Sequence, residues 1–160
     1  MKNNDLSQPT LSTLQLGMNW LSEDAGGLNR VYYDCIRHLP QIGVEVSGLV
    51  AGSQAVEQES GGLVQAFAPL ESSLWQRCVG VRRAVRRLLG EKDYSLVVSH
   101  FALYTFPVLD QLGSRPLVMH FHGPWALESG VEGSNSFGTQ LKWMLERITY
   151  QRAARFIVLS

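Results

Sequence analysis

Pro116-Leu117-Val118-Met119-His120-Phe121-His122-Gly123-Pro124-Trp125 joins a short apolar run to an abrupt polar end. Leu117, Val118 and Met119 have the unbroken apolar character of a strand buried on both faces. Such strands belong to parallel sheets covered by helices. The run then stops in two histidines, a glycine and a proline. In open parallel sheets ligands bind beyond the carboxyl ends of the strands, so a polar cluster at that point is a candidate site.

The same rhythm extends on both sides. Leu96-Val97-Val98 is another apolar run, and it passes directly into Ser99-His100-Phe101. Leu14, Leu16 and Met18 alternate along a first strand that ends near Asn19. Residues 44–51 and 63–67 read as the second and third strands, and residues 156–159 as a sixth. Helices separate them. Leu28, Val31, Tyr32, Cys35 and Leu39 share one helical face, and Pro40 and Gly43 end that helix. Residues 73–89 form a helix with an apolar stripe of Leu74, Val81, Val85 and Leu88, followed by Gly90. Residues 102–112 read as helical, restricted by Pro107. A long amphipathic helix runs from Phe137 through Leu141, Met144, Leu145 and Ile148 to about Ala154. Residues 1–10 read as a flexible terminus, and residues 52–62 and 126–136 as polar loops.

Strands and helices in strict alternation predict a doubly wound, Rossmann-like parallel α/β sheet over residues 11–160. The length of 160 residues suits one domain with a real core. The sequence stops at Ser160 inside the sixth strand, with no helix after it. Ser160 reads either as the end of an edge strand or, as expected here, as the end of a piece truncated from a longer enzyme.

Composition excludes several functions. Lys plus Arg and Asp plus Glu number 14 each, so no global field draws nucleic acid. Cys35 and Cys78 are isolated and read as reduced thiols of a cytosolic protein. Residues 1–10 lack a signal-peptide core, and no run approaches a membrane span. A cytoplasmic location is expected.

Two glycines after the first strand, Gly26 and Gly27, let backbone approach a ligand, and the following helix N-terminus favours a phosphate. Neither a G-x-G-x-x-G nor a P-loop motif is present. His120 and His122 alternate along a strand and project to one side, as two metal ligands would. No third ligand stands at a recognisable spacing, so no metal is expected. His100 also ends a strand, and three strand-end histidines on one rim make a polar pocket. Ser99 lacks the G-x-S-x-G turn of a hydrolase nucleophile. The helix at 73–89 carries Arg77, Arg82, Arg83, Arg86 and Arg87. It reads either as a solvated basic face or as an interfacial helix gathering anionic lipid, with Leu74 and Trp75 at its start.

Four segments, in order, resemble the N-terminal domain of family 4 glycosyltransferases. They are residues 16–37 with Gly26-Gly27-Leu28-Asn29-Arg30, then residues 93–100, 116–123 and 152–160. The resemblance implies the N-terminal, acceptor-side half of a GT-B enzyme of hexosyltransferase type. Such an enzyme moves a sugar from a nucleotide-sugar donor to a glycan, lipid or small-molecule acceptor. Configuration is retained, no metal takes part, and there is no cofactor beyond the nucleotide sugar as co-substrate. A missing C-terminal domain would hold that donor, so residues 1–160 alone would be inactive. By position the resemblance makes His122 the catalytic histidine beside the donor sugar. It makes Gly26, Gly27, Arg30, His100 and Gly123 binding positions for donor phosphate or substrate. His120 has no clear role there and is expected to pack against a helix. The enzyme would be cytoplasmic and, through its arginines, peripheral at the inner face of a membrane. The alternative is a stand-alone, non-catalytic α/β module that binds a small phosphorylated ligand.

Overall fold

The computed structural model describes residues 11–123 and 136–158. The expected flexible terminus, nearly all of the loop at 126–136 and the end of the sixth strand lie outside the described residues. Six parallel strands form one sheet: β1 (Ser12–Asn19), β2 (Glu45–Ala51), β3 (Val64–Ala68), β4 (Leu96–Ser99), β5 (Leu117–Phe121) and β6 (Arg155–Val158). Their order is β3-β2-β1-β4-β5-β6, so the direction of winding reverses between β1 and β4. That reversal is the switch point where α/β sheets open a crevice.

The helices are α1 (Gly27–His38), α2 (Ala55–Glu59), α3 (Leu74–Glu91), α4 (Ala102–Thr105) and α5 (Ser136–Arg152). Right-handed crossovers place α1 and α2 on one face of this order and α3, α4 and α5 on the other. Two apolar clusters reflect the two faces. Leu14, Leu16, Leu49 and Val97 pack with Val81, Val85 and Leu88 of α3. Val46, Val50 and Val64 pack with Tyr32 and Ile36 of α1. Strand alternation sends Leu14 and Leu16 to the α3 face, and Thr13, Gln15 and Gly17 to the α1 face.

Local chemistry fixes the ends of α3. Ser73 and Gln76 form a reciprocal capping box at its start, an arrangement worth about 1 kcal/mol. Gly80 then lets the helix lie against β3, since a Cβ there would collide with the carbonyl oxygen of Phe67.

The structure corrects several details. Residues 55–59, expected as loop, form the short helix α2. Residues 106–111 are a 3-10 helix, with Pro107 in its first turn where no backbone donor is needed. Leu74 is exposed, because burial along α3 begins only at Val81. Helix α1 buries Asn29, Tyr32 and Ile36, while Val31, Cys35 and Leu39 are half-buried. The largest departure is α5. Of its expected apolar face, Leu141, Met144 and Ile148 are exposed, Leu145 is half-buried and the Phe137 side chain lies outside the described residues, while Glu146 and Thr149 are buried. This helix packs on α4 and the 3-10 helix with its polar side. Burial is tolerated because Thr149 Oγ1 donates to the Leu145 carbonyl (2.9 Å) and Tyr150 donates to Glu146 (3.2 Å).

Candidate functional site

Strand pairing builds the site. Val98 sits beside Val118 and Ser99 beside Met119, so continuing the register brings His100 alongside His120. His122 follows two residues on and projects to the same side. The His100 N–H donates to the Leu16 carbonyl (2.8 Å), holding the end of β4 against β1. The three rings lie nearly parallel. Centroids are 5.0 Å apart for His100 and His120, 4.9 Å for His120 and His122, and 5.7 Å for His100 and His122. The expectation of His120 against a helix is corrected: it stacks on both other imidazoles. His100 is 2% exposed, His120 8%, and His122 half-buried.

Beneath the rings lies a polar chain on β1. Gln15 Nε2 donates to Thr13 Oγ1 (3.0 Å), which turns Gln15 Oε1 toward His100 Nε2 at 3.0 Å. An amide oxygen only accepts, so His100 carries its proton on Nε2 and leaves Nδ1 as a bare lone pair. Tyr32 of α1 meets the His100 ring edge-on at 5.2 Å. Gly17 makes room for it, because a Cβ there would stand 2.7 Å from the Tyr32 ring. Three nitrogens, His100 Nδ1, His120 Nδ1 and His122 Nε2, are buried with no hydrogen-bond partner among the described residues.

Burial governs the charge of this rim. It drives His100 well below the ordinary imidazole value, with His120 and His122 opposing a further positive charge. Burial and then His120 lower His122 to about 4, and burial lowers His120. All three are neutral at pH 7.

The second part of the site is the start of α1. Gly26 caps it in an extended conformation, with no side-chain cap and no acidic residue in the first turn. Its first intrahelical bond runs from Arg30 N–H to the Gly26 carbonyl (2.9 Å). The N–H groups of Gly27, Leu28 and Asn29 therefore have no acceptor within the helix. A Cβ at Gly26 would meet only Asn29, at 3.8 Å, and one at Gly27 nothing within 4 Å, so the backbone is bare to a ligand. The loop is fastened by groups that sequence spacing did not reveal. Asn19 N–H donates to Asn29 Oδ1 (3.2 Å), Asn19 Nδ2 donates to Asp24 Oδ2 (2.6 Å), and Asn29 Nδ2 donates to the Asp24 carbonyl (2.9 Å). Tyr32 lies five residues after Gly27, about 7.5 Å along the helix, and so links this terminus to the histidines. Arg30 is exposed on the first turn. Gly123 has φ +121, a backbone state that demands glycine directly after His122.

Other expected residues lie elsewhere. Ser99 faces away from the histidines, fully buried, and shares a 2.6 Å hydrogen bond with Thr105. The arginine helix is on the opposite face of the sheet, and three of its five arginines are tied internally. Arg77 donates to Tyr104 (2.9 Å) and to the Leu70 carbonyl. Arg82 forms a bidentate pair with Asp110 at 2.7 and 2.8 Å. Arg87 bonds Gln65 and pairs with Glu91 at 3.6 Å. Arg83 and Arg86 are exposed, as is Trp75 at 76%. No helix among the described residues is long and apolar enough to cross a membrane.

A comparison with curated proteins yields no match. The sequence profile of Glycosyltransferase Family 4 matches residues 25–160, which run from the glycine loop through the histidine rim to the last strand. The match takes in the bare helix N-terminus, the histidine rim and five of the six strands, and the chain belongs to Glycosyltransferase Family 4.

Proposed function

We propose that this domain is the acceptor-side half of a retaining, metal-independent glycosyltransferase that moves a hexose from a nucleotide-sugar donor to a glycan, lipid or small-molecule acceptor. One observation carries the reading: three neutral imidazoles and an uncapped helix N-terminus, linked through Tyr32, stand at the switch point of the sheet. The two halves of a breaking glycosidic bond need those two environments. The departing diphosphate gains negative charge, which the free N–H groups at Gly27 and Leu28, the helix dipole and Arg30 stabilise. The sugar gains positive character at its anomeric carbon. A cationic histidine would oppose that charge, whereas a neutral His122 positions a hydroxyl without repelling it. The nucleotide itself is assigned to a second domain. The same reading makes the enzyme cytoplasmic and peripheral. At about 100° per residue, Trp75, Arg83 and Arg86 fall in one sector of α3 that faces an anionic surface.

The test is His122→Ala in an enzyme carrying both halves, with folding checked by thermal melts. If His122 holds the sugar more tightly in the transition state, turnover falls by about a hundredfold while donor affinity changes little. Near-normal turnover in a well-folded variant removes His122 from the chemistry.

A further inference from the structure

We propose that His100, His120 and His122 form a binding site for one divalent transition-metal ion that prefers imidazole, such as zinc, cobalt or nickel, and that this ion competes with the sugar for the rim. The competition rests on the placement of His122 against the sugar; the ion site does not. This departs from the sequence expectation of no metal. Spacing along the chain offers two histidines, and the third arrives from the neighbouring strand.

The geometry is close to what coordination requires. One ring nitrogen from each histidine lies within 4.8 Å of the others. A tetrahedral ion held at about 2.0–2.1 Å by three imidazoles sets its nitrogens roughly 3.4 Å apart. Each nitrogen therefore moves inward by less than about 1 Å, and the nearly parallel rings must also turn about their Cβ–Cγ bonds so that their lone pairs converge on the ion. The electronic state also fits. His100 Nδ1, His120 Nδ1 and His122 Nε2 are buried without hydrogen-bond partners among the described residues. A buried nitrogen left unpaired destabilises the fold, and one ion would satisfy all three.

The support beneath the rings is of the kind metal sites have. A metal-binding histidine donates its second ring N–H to an oxygen that fixes its tautomer. Gln15 Oε1 takes that part for His100 at 3.0 Å, and Thr13 fixes Gln15 in turn. The ligand set contains three nitrogens with no carboxylate or thiolate, which disfavours magnesium and calcium. Three protein ligands leave a fourth position for water or a sugar hydroxyl.

The experiment titrates the metal-stripped chain with cobalt(II), followed by its visible d–d absorption, and with zinc by calorimetry. One ion per chain and a tetrahedral-type cobalt spectrum without thiolate charge-transfer bands are expected. His122→Gln, at the half-buried rim, weakens binding by about a hundredfold or more, and Gln15→Leu by about 10–100-fold. His100→Gln is the buried counterpart, interpreted only where its melt shows a folded chain. His38→Gln changes nothing, since His38 is exposed at the end of α1 beside Gln41. Cys35→Ser and Cys78→Ser likewise change nothing. Absence of stoichiometric binding, binding unaffected by His122→Gln, or binding lost with His38→Gln overturns the site. In an enzyme carrying both halves, zinc inhibits competitively with the donor, and a chelator restores activity. Ion binding without inhibition overturns the competition alone.

Discussion

Acidification from pH 7 to pH 5 should destabilise this domain through its histidine rim. His122 has an ordinary value of 6.5 in the unfolded chain and about 4 in the folded one. As pH falls below 6.5, the unfolded chain takes up a proton that the folded chain refuses until about 4. Stability from this group is therefore complete above 6.5, is lost through the interval, and falls no further below 4. A tenfold difference in proton affinity between the two states is worth about 1.4 kcal/mol, so His122 alone accounts for about 2 kcal/mol between pH 7 and pH 5. His122 is only partly buried, and solvent screening reduces that to about 1 kcal/mol. His100 and His120 are also lowered and act in the same direction. The interval isolates histidine, because the shifted carboxyls of Glu59 and Asp110 start from ordinary values of 4.5 and 3.8 and fall from there.

Urea unfolding of the metal-stripped chain, followed by tryptophan fluorescence, measures this, since Trp20 is buried at 1% exposure. With a slope of about 2 kcal/mol per molar urea, the midpoint should drop by about 0.5 M or more from pH 7 to pH 5. His122→Gln removes its share and flattens the dependence. A wild-type midpoint that does not move over this range, or a variant with an unchanged slope, refutes the reasoning.

Gly80→Ala should destabilise by about 1–3 kcal/mol, read as a lower melting temperature, because its Cβ meets a backbone oxygen that no side-chain rotation can move. In liposome flotation, Arg83→Ser with Arg86→Ser should reduce binding to anionic vesicles, and added salt should abolish the difference. Equal flotation of wild type and double variant would make the face simply solvated.

The fold was largely legible because apolar runs and their breaks report a parallel sheet directly. All six strands lie where the runs lie, whereas the order β3-β2-β1-β4-β5-β6 is seen only in the structure. Helix faces were less legible. Apolar spacing along α5 marked Leu141, Met144 and Ile148, yet the packed side carries Glu146 and Thr149. Periodicity finds an apolar stripe without saying what covers it. The short helix α2 escaped for a different reason: five residues are too few to establish a period.

At the site, polar strand ends pointed to His100, His120 and His122, but their relation to one another was set by register. His100 and His120 are 20 residues apart and become neighbours because β4 and β5 pair in parallel, Val98 against Val118. Gln15 and Thr13 are the polar half of the β1 alternation, while strand recognition rests on the apolar half, Leu14, Leu16 and Met18. That polar half is informative, since strands buried on both faces seldom carry it without a use. Register ties these observations together. A slip of one residue between β4 and β5 would turn His120 and His122 to the α3 face and bring Met119 toward Gln15. The apolar residues that enforce the pairing, Val97, Leu117 and Met119, are each no more than 1% exposed. Core packing on one face of the sheet therefore determines whether the rim on the other face exists, and variants that loosen the first should disperse the second.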